Sequence, residues 1–185
     1  MIDFPAITLE TKHLRLVSCT PVILRAALVG NTTLASALGV SVPDNWTEFG
    51  TGALQYALDR LLEDPKALNW FGYFPIHKAD RSLIGSGGYK GPPSTEGSVE
   101  LGYEIVPEYR NRGLATEMTQ ALLENAFIDP RVAVVIAHTL AHENASTRVL
   151  NKCGFKKIAD LHDPDDGAIW EWALEKDRST RSMRE

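Results

Sequence analysis

The feature that most limits what this chain can fold into is a change of period between Val99 and Phe127. Val99, Leu101, Tyr103 and Ile105 alternate with their neighbours at the period-two spacing of a strand. Pro107 ends that pattern, because proline cannot donate to a ladder and restricts the residue before it. Leu114, Met118, Ala121, Leu122 and Ala126 then fall at helical spacing, so a long amphipathic helix starts near Gly113. Between the two lies a basic turn, Arg110-Asn111-Arg112-Gly113-Leu114-Ala115. A strand feeding through a short basic turn into a helix N-terminus makes an anion site, where unpaired N–H groups and the positive end of the helix dipole converge. Gly113 and Ala115 carry no bulky side chain, so a diphosphate can approach the main chain, and Arg110 and Arg112 add charge beside it.

The rest of the chain reads in order. Leu9–Val17 alternates as a first strand, and Thr20-Pro21 opens a helix that ends near Gly30. Asn31–Leu38 forms a short second helix before the loop Gly39–Trp46. A third helix runs from Glu48 or Phe49 to Leu62, with Leu54, Leu58, Leu61 and Leu62 on one face, and Asp64-Pro65 closes it. Strands follow over Leu68–His77, Leu83–Tyr89 and Val99–Val106, with an exposed turn at Lys90–Gly97. Val132–Thr139 is an apolar run expected to be a strand buried on both faces. Asn144 caps a short helix whose inward residues are Ala145, Val149, Leu150 and Cys153, and Gly154 stops it. Phe155–Leu161 and Ala168–Leu174 pair across a turn at Asp163–Gly167. Strands and helices interleave, which predicts one α/β domain over residues 1–175, followed by a charged, flexible tail over 176–185.

Composition removes several classes of function. A net charge of −5 argues against nucleic acid as the main partner. The longest apolar run, Val132–Ala137, is far short of a membrane span, and the start MIDFPAITLE lacks the regions of a secretion signal. Cys19 and Cys153 have no metal or redox spacing and read as reduced core thiols of a cytoplasmic protein. His138 and His142 stand four apart but straddle a strand end and a loop, with no third ligand near, so no metal site is expected. Neither Gly-x-x-x-x-Gly-Lys-Ser/Thr nor Gly-x-Gly-x-x-Gly occurs, which removes a nucleotide-binding loop.

The turn Arg110–Ala115 resembles the Arg/Gln-x-x-Gly-x-Gly/Ala signature of the GNAT acetyltransferases, where it holds the pyrophosphate of acetyl-coenzyme A. His142–Phe155 resembles the family's other signature, an Asn- or Ser-capped helix ending in Lys-x-Gly-Phe. Both occur in the family's order, and the order of elements fits from Leu9 to Leu174. LETKHLRL, GYEIVPEYRNRG and DPDDGAIWEW look closest to the ribosomal-protein N-terminal alanine acetyltransferase branch. The resemblance implies a GNAT-like mixed, mostly antiparallel sheet flanked by helices, in which the central parallel strands Val99–Val106 and Val132–Thr139 splay apart. The pantetheine arm would enter that wedge and hydrogen-bond to main chain near Glu104, Ile105 and Val106. The diphosphate would sit over Arg112, Gly113, Leu114 and Ala115, with Arg110 beside them, and Asn144 would touch the pantetheine or orient the acceptor. The implied activity is transfer of acetyl from acetyl-coenzyme A, as cosubstrate, to a primary amine by direct attack in a ternary complex. The acceptor is a protein N-terminus or a small amine, and a homodimer is compatible with the sequence.

Such a transfer needs an unprotonated amine, whereas a primary amine with a pKa of roughly 10 is mostly ammonium at neutral pH. Glu100 matches the family's strand carboxylate and is the first candidate base, with Glu104 second; both point away from the face that carries Leu101 and Tyr103. The alternative for Glu100 is a structural pair with a basic neighbour on the sheet. The oxyanion would be held by a backbone N–H near Glu104 or Ile105. Many relatives place a tyrosine acid just before the Lys-x-Gly-Phe segment, where this chain has Leu150. Ser146, or Asn144 through water, is then the candidate acid, and Ser146 also reads as a polar residue at a helix start. The acceptor site would be lined by the loop Gly39–Trp46 and the hairpin His162–Gly167, with Trp46 either in that pocket or anchoring its own loop. The competing reading is a scaffold that binds acyl-coenzyme A without catalysis, as a sensor or interaction module.

Overall fold

Capping chemistry sets where the elements begin. In the computed structural model, which describes residues 5–177, Thr20 Oγ1 accepts from Ile23 N at 3.3 Å and Pro21 takes the first helical position. The chain runs through β1 (Thr8–Glu10), β2 (Leu14–Ser18), α1 (Pro21–Val29), α2 (Asn31–Leu38) and α3 (Gly50–Glu63). A 3-10 turn (Pro65–Trp70) leads to β3 (Gly72–His77), β4 (Ser82–Leu83), β5 (Gly85–Tyr89) and β6 (Ser98–Ile105). Then come α4 (Leu114–Ile128), β7 (Val134–Leu140), α5 (Ala145–Lys152), β8 (Lys156–Asp163) and β9 (Gly167–Glu175). The sheet order is β1-β2-β3-β5-β6-β7-β9-β8, with β4 appended to β3. Every pairing is antiparallel except that of β6 with β7. The expected mixed, mostly antiparallel α/β sheet is therefore what forms.

The parallel pair is short. Its register covers Ser98↔Val134, Val99↔Val135 and Glu100↔Ile136. Past Glu100, β6 pairs only with β5 and β7 only with β9, so the two strands part and leave a wedge. Val99, Leu101, Val135 and Ala137 are buried on one face, in one core cluster with Met118 and Leu122 of α4 and Leu150 of α5. The helix lies close to the sheet: a Cβ on Gly87 of β5 would stand 3.0 Å from Met118 Sδ. The opposite face carries Glu100, Glu104, His138 and Glu171, all half-buried. Among the described residues, no helix is long and apolar enough to cross a membrane.

Several expectations are corrected. The strand expected over Leu9–Val17 is two strands, because Glu117 in the first turn of α4 gathers the residues between them. It accepts from Thr11 Oγ1 at 2.5 Å and His13 N at 2.6 Å, and meets His13 Nδ1 at 2.7 Å. The strand expected over Leu68–His77 starts only at Gly72, because its first residues belong to a 3-10 turn over Pro65–Trp70, which opens with Asp64 accepting from Lys66 N at 3.1 Å and Pro65 following it. The strand expected over Leu83–Tyr89 is likewise divided at Ile84. On α3, Ala57 is buried and Leu62 is exposed; on α5, Thr147 is buried and Ala145 is exposed. β7 begins at Val134 and alternates buried with half-buried, so only one of its faces is fully covered. Lys176, placed in the tail, is tied down by Lys176 N to Ala133 O at 2.8 Å; residues 178–185 of that expected tail lie outside the described residues.

The Glu117 pin gives a stability prediction with a definite sign. Burial pushes the Glu117 carboxyl up, but the bonds from Thr11 and from the His13 N–H and ring outweigh it and hold it down at about 2. The folded value lies below an unfolded value of about 4.3. Its contribution is therefore complete above pH ~4.3 and is lost as pH falls toward 2. Glu117→Gln should lower unfolding free energy at pH 7 by about 2 kcal/mol, and the gap from wild type should close on acidification. Urea unfolding across that range measures it; a gap independent of pH would remove the charge from the explanation.

Candidate functional site

The site is built where β6 hands over to α4. Gly113 sits at φ +79 and ψ −2 as the N-cap, and a Cβ there would meet nothing within 4 Å, so the space above the turn is open. The first amides of α4, beginning at Leu114 and Ala115, have no acceptor within the helix. Arg112 lies with its guanidinium carbon 4.9 Å above the Tyr109 ring, and Tyr109 Oη donates to Asp80 at 2.7 Å. The stack holds Arg112 beside the turn. Arg110 goes elsewhere: Nε donates to Ile105 O at 2.7 Å and Nη2 to Glu48 at 2.8 Å. It closes the end of β6 rather than flanking Gly113.

The wedge edge of β6 follows from its hydrogen bonds. Lys90 N donates to Glu100 O at 3.0 Å and Val106 N to Ile84 O at 2.9 Å, so the even-numbered main chain faces β5. By alternation the N–H and C=O groups of Tyr103 and Ile105 face the wedge, where no strand pairs with them; Ile105 O already accepts from Arg110, which leaves the Ile105 N–H and both Tyr103 groups. Ile105 therefore lies where main-chain contact was expected, while the Val106 N–H is already committed and Glu104 main chain points the other way.

The two faces of the wedge differ in chemistry. On one, Tyr103 Oη stands 3.0 Å from Ser146 Oγ in the first turn of α5. Burial pushes the Tyr103 phenol up to about 12, against the Ser146 hydrogen bond, so it stays protonated at neutral pH. Asn144 is a cap: its Oδ1 accepts from Thr147 N at 3.0 Å, its own N–H donates to Thr147 Oγ1 at 3.0 Å, and Nδ2 donates to His142 O at 3.1 Å. Leu150 is fully buried. Cys153, nearby and half-buried, is pushed up to about 11 by burial, and Cys19 is raised by burial as well; both are free thiols with no nucleophilic character.

On the other face, Glu104 accepts from Thr47 Oγ1 at 2.6 Å, Glu48 N at 2.7 Å and Ser86 Oγ at 2.6 Å. Those three donors commit it to holding the segment before α3. Glu100 pairs with Lys90 and stands 3.0 Å from His138 Nδ1, and His138 Nε2 stands 3.2 Å from Glu171. The structural pairing considered for Glu100 is thus present, with a histidine added to it. Trp46 is the anchor of its loop: it is buried, packs edge-on against Phe74 at 5.0 Å and donates to Asn31 Oδ1 at 3.1 Å. Thr47 and Glu48 are the residues of that region that reach the wedge.

Sequence reasoning missed Tyr103, which alternation assigned to packing, and set aside His138, whose spacing from His142 suggested only a metal. The signal for both was register: Tyr103 lies one strand position from Glu104, and His138 two from Ile136, the partner of Glu100. Among the described residues no group of His, Cys, Asp or Glu could hold a metal.

The acetyltransferase (GNAT) domain profile matches residues 38–156 of this chain. An uncharacterized N-acetyltransferase of Bacillus subtilis, YjdG, is 26% identical over 152 residues, 80% of this chain and 89% of the relative. The ribosomal-protein-S5-alanine acetyltransferase of Vibrio fischeri superposes with a TM-score of 0.66 at 15% identity, over 93% of this chain and 98% of that one. RimL, a ribosomal L7/L12 alpha-N-protein acetyltransferase solved in complex with coenzyme A, gives 0.67 at 12% identity, over 91% and 98%. At these identities the two structures speak to the fold.

Proposed function

Because the chain belongs to the GNAT acetyltransferase family, we propose that it moves an acetyl group from acetyl-coenzyme A to a primary amine, by direct attack within a ternary complex. The observation that carries this reading is the unpaired edge of β6 running straight into the Gly113 turn. An extended amide-bearing arm fits the first and a diphosphate fits the second, and the two adjoin at the C-terminal end of one strand. When bound, acetyl-coenzyme A supplies the activated acetyl thioester. The chain's own groups do the rest. Leu114 and Ala115 amides and Arg112 hold the diphosphate, and Tyr103 main chain with the Ile105 N–H orients the arm. Glu100 Oε2, which accepts no hydrogen bond among the described residues, takes the amine proton.

Tyr103 replaces the tyrosine absent at position 150. At a pKa of about 12 it is too weak an acid to give its proton outright to a thiolate of pKa roughly 8.5. It acts as a hydrogen-bond donor to the departing sulfur, turning its proton from Ser146 O at 3.3 Å while accepting from Ser146 Oγ. The acceptor face is open sheet rather than a closed hole: Leu140 and Leu161 beside it are 45% and 42% exposed. That favours an extended acceptor such as a peptide N-terminus, in keeping with the ribosomal-protein branch. The free thiols suit a cytoplasmic enzyme.

The test is thiol release from acetyl-coenzyme A with a panel of N-terminal peptides, polyamines and amino acids. Turnover is expected with at least one peptide, and Tyr103→Phe should lower its kcat about tenfold with coenzyme affinity unchanged. Tight coenzyme binding with no turnover across the panel would favour a binding module instead.

A further inference from the structure

Glu100, His138 and Glu171 occupy neighbouring strands β6, β7 and β9 on one face, with contacts of 3.0 and 3.2 Å in series. Each side chain is about a quarter exposed: 25% for Glu100, 24% for His138 and 24% for Glu171. The row begins at the residue where the parallel pairing ends and leads away from the wedge across the sheet. The charged groups around the ring are Glu100 on β6, Glu171 on β9 and, through Glu100, Lys90 after β5. Its neighbours along β7 on the same face are Ile136 and Leu140, which offer no alternative polar partner. Both Lys90 and His138 meet Glu100 at Oε1, which leaves Oε2 without a hydrogen bond among the described residues.

We propose that His138 is the proton acceptor that regenerates Glu100 in each turnover, with Glu171 as its positioning residue. This rests on the reading of Glu100 as the base. The ammonium N–H bond breaks as an O–H bond forms on Glu100. That proton then passes to the lone pair of His138 Nδ1, restoring the carboxylate and making an imidazolium between two carboxylates. Loss of that proton to water at the partly exposed ring returns neutral histidine, and the second N–H proton, shed by the attacking nitrogen, ends on the coenzyme A sulfur, so one proton leaves for each amine acetylated. Glu171 favours the tautomer with the proton on Nε2, which points the Nδ1 lone pair at Glu100. A histidine suits the task because one ring nitrogen can accept a proton while the other keeps its hydrogen bond.

The experiment is chemical rescue. In His138→Ala, kcat at pH 7 should fall about tenfold, and added imidazole buffer should restore it in a concentration-dependent way, while wild type stays insensitive to buffer. Glu171→Gln keeps the ring and should give a smaller, severalfold loss with the acceptor KM unchanged, which protects the test should the alanine variant fold poorly. Glu100→Gln should lose about a hundredfold or more at pH 7 and should not be rescued by imidazole at that pH. A wild-type rate in His138→Ala, or a loss that imidazole leaves untouched in a folded protein, overturns the relay while Glu100 stands. A wild-type rate in Glu100→Gln overturns the base assignment and the relay with it.

Discussion

Gly113→Glu should weaken coenzyme A binding by at least about a hundredfold, close to 3 kcal/mol, while the protein stays folded. The variant puts a carboxylate over the amides that begin α4, where the open space is the volume assigned to the diphosphate. Like charges at that spot repel, and the new side chain can itself occupy the N–H groups. Strain is a separate and smaller cost: a non-glycine residue at φ +79 loses about 1 kcal/mol. Gly113→Ala separates the two, because it carries the same backbone strain into the same open space without charge or length. It should bind within about tenfold of wild type, with thermal stability lowered by a similar amount to that in Gly113→Glu. Isothermal titration of all three proteins with coenzyme A reads the result. Unchanged affinity in Gly113→Glu would place the diphosphate elsewhere and take the pantetheine assignment along β6 with it.

Much of this arrangement was legible because its signals are local. The switch of period at Pro107, the glycine after two arginines and the Asn144 cap each depend on a few adjacent residues, and each lies where the sequence puts it. The misreadings share a different origin. Thr11–His13 looks like strand until Glu117, a hundred residues away, captures it. Arg110 looks like a phosphate ligand until Ile105 O and Glu48 claim it. Val106 reads as wedge-facing until the hydrogen-bond parity set by β5 turns it round. The pairing of Tyr103 with Ser146 likewise needs α5 to be placed over β6. Alternation tells which residues share a face, but not which edge of the strand is open or what lies across it.

Glu100→Gln should lower kcat at pH 7 by about a hundredfold or more, the range for a lost general base, with coenzyme affinity intact. The substitution keeps the shape of the side chain and removes its capacity to take a proton. It also breaks the contact with Lys90, but that lysine is 66% exposed, and an exposed pair contributes little to stability. The Gly113 turn is separated from Glu100 by the rest of β6, so the anion site should not sense the change. If Glu100 acts only to deprotonate the acceptor, raising the pH does its work for it. The variant should then recover as the amine deprotonates in solution, and the pH of recovery reports the acceptor. A peptide α-amine, with a pKa near 8, should restore activity by about pH 8–9, whereas an alkylamine near 10 should require about two units more. A wild-type rate at pH 7 would remove Glu100 as the base and leave its contacts with Lys90 and His138 as a brace between strands. A deep loss that no pH restores would assign it to holding the acceptor rather than to taking its proton.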